Sequence, residues 1–186
     1  VDEFHFERVS KSGAVFDREK LNWMNQQYML KLPEEEYFRM IDDVIQKGDY
    51  HDQDPGKTRQ AAEILKTRLV TLSDLNQKLG LFFEENPEIK DLQAIEVLKE
   101  ENSKTVLKEF LQQAENLDQL TSENLGQLVK SVQKTTGIKG RGLWMPLRCA
   151  ITREVSGPEL PAMLDFFGGE KCLQLIRQTF ENPSLN

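Results

Sequence analysis

Apolar side chains recur at three- and four-residue intervals along most of this chain, and capping residues cut that pattern into a series of short helices. Asp17 can cap a helix reaching about residue 31, with Leu21, Met24, Tyr28 and Leu32 along one face. Pro33 and the three glutamates after it start the next, since proline suits a first turn and acids favour the positive end of the helix dipole. Gly48 ends that helix, and GDYHDQDPG reads as a polar turn. Pro55 and Gly56 open a helix to about residue 70, a shorter one spans 73–78, and LFFEEN (81–86) reads as a brief extended piece. Helices are then expected over about 87–101, 103–116 and 122–136, and short ones starting near Pro146, Pro158 and Gly169. Strand signals are almost absent and there is no internal repeat. The expected fold is all-α, a helical bundle in two subdomains: a connecting unit over residues 1–50, a first bundle over 51–117 and a second over 118–186.

Composition narrows the function. Of 186 residues, 38% are hydrophobic and 30% charged, an ordinary globular balance. No apolar run approaches the roughly 18 residues that a membrane helix needs, so no membrane partner is expected. The start, VDEFHFERVS, has no Met, no basic region and no apolar region, which predicts a piece of a longer protein rather than a secreted precursor. Cys149 and Cys172 lie among apolar neighbours and read as core thiols of a reducing compartment. His5 and His51 are flanked by acids without metal-ligand spacing, so no metal site is expected. P-loop, GxGxxG, GxSxG and HExxH patterns are all missing, and no catalytic residue can be named. Binding, not catalysis, is the expectation.

Charge points to the partner. The chain carries a net −7, yet residues 130–153 hold Lys130, Lys134, Lys139, Arg141, Arg148 and Arg153 with no acid among them. Screening at cellular salt erases fields beyond about 8 Å, so a local basic segment can meet a polyanion despite an acidic body. Within it, KGRGLWMPLR (139–148) interleaves Lys139 and Arg141 with glycines and Trp144, a composition suited to single-stranded RNA. Pro146 is expected to start a helix with Arg148 in its first turn. The same stretch can equally be a surface loop with Trp144 and Met145 in the core. Arg68 falls inside an apolar stripe formed by Ala61, Ile64, Leu65 and Leu69, with Arg59 and Lys66 on the opposite, watery side. An arginine so placed snorkels, pairs with a buried acid or points into a cleft. VSGPEL (155–160) marks a turn at Gly157 and Pro158 before the next helix.

Three blocks together, SKSGAVFDREKLNWMNQQYM (10–29), the Arg68 helix and KGRGLWMPLRCAITREVSGPELPAMLDFFG (139–168), resemble the bacterial glutamyl-tRNA synthetases. The resemblance covers essentially the whole chain and corresponds to the C-terminal stem-contact and anticodon-binding region of those class I enzymes. It implies an all-helical domain that recognises tRNA-Glu through its anticodon loop and stem. The catalytic domain, a partner in the intact protein, would use ATP and Mg to attach glutamate in the cytoplasm; no cofactor is expected here. Arg68 matches the family arginine that reads the third anticodon base, where glutamate and glutamine tRNAs differ, and implies the selective kind of enzyme. Arg148 matches the one near the first base. Gly157 and Leu160 match the walls of the first- and second-base pockets, although the family can place Thr at position 157. Lys139 and Arg141 are assigned to phosphate. The competing expectation is a helical protein–protein adaptor whose basic segment meets an acidic partner.

Overall fold

A computed structural model describes residues 16–182 and Leu185; among them are ten α-helices and no strand. They are α1 (Arg18–Lys31), α2 (Glu34–Gln46), α3 (Pro55–Leu65), α4 (Asp74–Phe83), α5 (Leu92–Lys99), α6 (Glu101–Ala114), α7 (Ser122–Thr136), α8 (Arg141–Thr152), α9 (Leu160–Phe167) and α10 (Gly169–Glu181). A 3-10 turn, Lys66–Arg68, follows α3. His5 and most of the SKSGAVFD segment lie outside the described residues.

Local signals placed several helix ends correctly. The Asp17 carboxylate accepts from the backbone N–H of Lys20 at 3.0 Å, and Asp54 does the same for Lys57 at 2.8 Å. Thr121 and Asn124 cap α7 reciprocally, and Gly137 closes it in the left-handed conformation.

Three expected elements differ. The stretch LFFEEN is not extended: Leu81, Phe82 and Phe83 form the last turn of α4. The cause is tertiary, because Phe82 packs edge-on against Phe166 of α9 at 4.8 Å, with Phe83 and Phe167 in the same cluster. Residues 87–90 are not helical; α5 begins at Leu92, capped by Asp91. Pro146 does not start a helix but sits inside α8, which places Arg148 mid-helix rather than in a first turn. An internal proline costs about 3 kcal/mol by removing one hydrogen bond and crowding the preceding turn. Leu143, Leu147 and Ile151 are fully buried on the same helix, and at about 2 kcal/mol each their burial outweighs that cost.

Packing falls into two regions. In one, α3 packs on α2 and α4, around Tyr37, Ile41, Ala61, Leu65 and Leu79. In the other, α6 packs on α7 and α8, while α5 and α10 also cover α8. Helices α6 and α7 flank residue 117, the expected joint between bundles, and pack directly against each other. The regions meet through α3 and α4 against α9, along the phenylalanine cluster. Helix α1 is attached lightly: Met29 is its one buried residue, and it leans on the 3-10 turn. No helix among the described residues is long and apolar enough to cross a membrane.

Candidate nucleic-acid interface

Two arms from distant parts of the chain meet at one carboxylate. The first is the 3-10 turn that ends α3. Leu65 and Leu69 anchor it in the core, and α1 grips its outer side: Gln26 Nε2 donates to the Thr67 carbonyl at 2.8 Å, and Asn25 donates to that of Val70. Arg68 leaves this turn with its side chain 32% exposed and donates from Nη2 to Glu159 Oε1 at 3.0 Å. Its Nε is buried without a hydrogen-bond partner.

The second arm is α8 with the turn leading into α9. Arg148, 23% exposed, donates from Nη2 to Glu159 Oε2 at 2.9 Å. Its Nη1 donates to the Gly157 carbonyl at 3.1 Å. Gly157 is required by contact: a Cβ there would overlap the side chain of Thr152. The turn is also pinned from below. Asp91 caps α5 with one carboxylate oxygen and accepts from the Val155 N–H with the other, at 2.9 Å. Lys78 of α4 pairs with Glu154 at 3.1 Å. The position of Glu159 relative to Arg68 is thus fixed by both packing regions.

Beside the pair opens a groove of roughly 470 Å³, lined by Leu125 and Gly126 of α7, Trp144 and Arg148 of α8, and Leu160 and Pro161 of α9. Trp144 is 43% exposed. Arg141, Trp144 and Arg148 follow i, i+3, i+7 spacing and so share a face of α8, with the two arginines about 10 Å apart along the axis. Ser122, Glu123 and Glu159 complete the lining, which is largely apolar, with Arg148 as its cation. Such a groove suits an unstacked base, which offers a π-face to the wall and acceptor atoms to the guanidinium groups.

A family model described as an anticodon binding domain matches residues 24–180. The chain belongs to the anticodon-binding domain family. Among its relatives, the glutamate–tRNA ligase of Latilactobacillus sakei subsp. sakei is 34% identical over 184 residues, covering 96% of this chain and 37% of its own length. That of Geobacillus stearothermophilus is 32% identical over 183 residues, again covering 96% of this chain and 37% of its own. This chain therefore spans little more than a third of those relatives. A solved glutamate–tRNA ligase from Elizabethkingia meningosepticum, in complex with its amino acid, aligns with a TM-score of 0.67 at 24% identity, covering 96% of this chain and 35% of that one. That likeness carries the all-helical fold alone.

Within this anticodon-binding domain, Arg148 and Leu160 line the groove, while Arg68 and Gly157 are joined to it through their hydrogen bonds with Glu159 and Arg148. Lys139 and Arg141 do not line it; both are exposed where α7 hands over to α8. The basic segment is less uniform than its composition implied. Arg153 is only 6% exposed, and burial lowers its pKa to about 10. It donates to the Ala150 carbonyl at 2.8 Å, Gln178 Oε1 at 3.0 Å and Thr179 Oγ1 at 3.3 Å, securing the end of α8. Lys66, expected on the watery side, has its ammonium 4.3 Å from the Tyr37 ring centroid. Helix α2 covers that side of α3, which periodicity within one helix cannot reveal. Trp144 lines the groove rather than the core. Glu159 is the residue that sequence reasoning missed: it read as part of a helix start, and nothing local marks a carboxylate whose partner is 91 positions away.

Proposed function

We propose that this chain is the tRNA-recognising part of a glutamate–tRNA ligase and that its groove reads the anticodon of tRNA-Glu. The convergence of Arg68 and Arg148 on Glu159 beside an apolar groove carries this proposal. Arg68 addresses the third anticodon base. Cytosine presents adjacent N3 and O2 acceptors to a guanidinium, whereas the guanine edge presents donors that would face it. Arg148 addresses the first base, with Gly157 and Leu160 as walls of the first two pockets. Lys139 and Arg141 receive backbone phosphate as it leaves the groove. The chain itself performs no aminoacylation; in the intact protein, ATP and Mg serve a separate catalytic domain. The working division is a stem-contact unit over 1–50 and two anticodon-binding subdomains over 51–117 and 118–186, the first lending α5 and α6 to the core of the second.

The surface of α1 supports a covering partner within the intact protein. Trp23 and Tyr28 are 61% and 74% exposed, and with Met24 and Leu32 they line an apolar depression. Larger exposed apolar patches mark contact surfaces, and the catalytic domain is the occupant assigned to this one. The implied compartment is the cytoplasm, where tRNA is charged.

The test is affinity of the full chain for tRNA-Glu with each anticodon base changed in turn. Replacing the third-position C by G is expected to weaken binding by about 5- to 150-fold, the worth of a good bidentate base contact. Equal affinity for all anticodons would favour an adaptor with a nonspecific basic surface.

A further inference from the structure

We propose that Glu159 is the specificity-setting residue of this groove: it holds Arg68 and Arg148 in register for base edges and turns phosphate away. The proposal rests on the tRNA-reading function above. Each oxygen of the carboxylate serves a different guanidinium, Oε1 taking Arg68 at 3.0 Å and Oε2 taking Arg148 at 2.9 Å. Among the described residues, that carboxylate has no other hydrogen-bond or ion-pair partner. Glu159 occupies the N-cap position of α9 yet makes no side-chain cap hydrogen bond, and it is 64% exposed. Its partners are the two arginines.

Without Glu159, Arg68 would lose its anchor and Arg148 one of its two. Among the described residues, this carboxylate is the one hydrogen-bond acceptor for Arg68, and its Nε is buried and unpartnered. A long arginine side chain released from its anchor samples many rotamers, and ordering it on binding weakens the contact. Pairing fixes the guanidinium while leaving its other terminal N–H donors unengaged. Arg148 is held from two sides, by Glu159 and by the Gly157 carbonyl. The carboxylate therefore converts two flexible cations into a fixed donor array.

Charge gives the second half. Two guanidinium groups alone form a strong phosphate site. The shared carboxylate leaves a net single positive charge and sets an anion where an incoming phosphate oxygen would have to sit. A neutral base edge bearing acceptors pays no such repulsion. Glu159 thus biases the groove toward bases over backbone, which is what an anticodon reader needs among many RNAs of equal charge.

Three forms of the full chain test this: wild type, Glu159→Gln and Glu159→Asp. Each is titrated with tRNA-Glu and with the same tRNA carrying G at the third anticodon position, across a range of salt. Thermal unfolding checks that each form is folded. Glu159→Gln removes the repulsion, so it is expected to bind both RNAs more tightly and lose about tenfold in discrimination. Its affinity should fall more steeply with salt, by about one further released counterion. Glu159→Asp keeps the charge but is one methylene too short to span both arginines. It is expected to lose discrimination with the wild-type salt dependence. A Glu159→Gln protein with unchanged discrimination and salt slope would overturn the proposal, as would equal weakening toward both RNAs, the mark of a structural residue. If wild type itself fails to discriminate, the anticodon-reading function falls and this proposal with it. If wild type discriminates and both variants match it, only the role of Glu159 falls.

Discussion

Arg148 lies in the middle of α8 and Arg153 caps its end, and each is anchored by more than one hydrogen bond, yet their surroundings are opposite. Arg148 meets a carboxylate at the rim of an open groove. Arg153 is shut into the junction of α8 and α10, where its hydrogen-bond acceptors are a carbonyl, an amide and a hydroxyl, all neutral. It even adopts a left-handed backbone, φ 63°, a conformation that costs a non-glycine residue about 1–2 kcal/mol. The first arrangement keeps a cation available for exchange with a ligand. The second spends the donors on holding a helix end. Arginine at a surface rim and arginine in a core are different instruments, and a count of charges along the sequence treats them as one.

The contrast can be broken most forcefully at Arg153. Arg153→Ala would strand the Gln178 and Thr179 acceptors and leave a cavity, and is expected to cost about 3 kcal/mol of stability in urea unfolding. The anticodon preference of the protein that remains folded should be unchanged. Loss of preference without loss of stability would erase the distinction between the two arginines. Arg68→Gln should behave in reverse. Discrimination at the third anticodon base is expected to fall by about 1–3 kcal/mol in comparative titrations. Stability should move by less than about 1 kcal/mol, as for an accessible ion pair.

Gly126 offers a way to sharpen the same comparison without touching charge. It lines the groove on α7, and a Cβ at that position meets no atom within 4 Å. Gly126→Leu is expected to obstruct the groove and reduce tRNA affinity about tenfold. Because glycine disfavours helix by roughly 0.5–1 kcal/mol, thermal stability should hold or rise slightly. Unchanged affinity would move the binding site elsewhere.

The smallest effect concerns Cys149, which lies between the two arginines on α8. Burial pushes its thiol up to about 12, helped by nearby Asp91 and opposed by Arg148 and Arg141. Burial raises Cys172 likewise to about 12. A folded-state pKa above the unfolded one means stability that is complete below about pH 9 and declines as pH rises toward 12, since the unfolded thiol ionises first. The unfolding free energy from denaturant titrations is expected to drop between about pH 8 and pH 10, by about 1 kcal/mol per thiol. Arg153, lowered to about 10, acts with the opposite sign but only from that pH upward. Substituting alanine at Cys172 should flatten the decline.

The class of fold and the positions of most helices were legible in the chain alone. Those properties are local: Asp17 caps its own helix, Thr121 and Asn124 close a reciprocal box, and the spacing of Leu125, Leu128, Val129 and Val132 needs only one helix to be seen. The burial of Cys149 and Cys172 as core thiols was legible in the same way. Family likeness also directed attention to Arg68, Arg148, Gly157 and Leu160.

Other features emerged only from packing between distant segments. Leu81–Phe83 became helical because phenylalanines of α9 were waiting for them, and α8 ran through Pro146 because its apolar face found a core. Arg68 did not simply choose among solvent, a buried acid and a cleft. It took a surface carboxylate at the edge of a cleft, one contributed by the far end of the chain. Electrostatic partnership depends on distance in space, which falls steeply over a few ångströms and bears no relation to separation along the backbone. Only the packing of α4 against α9, and the pinning of the 153–159 turn by Asp91 and Lys78, brought Glu159 within reach of both arginines.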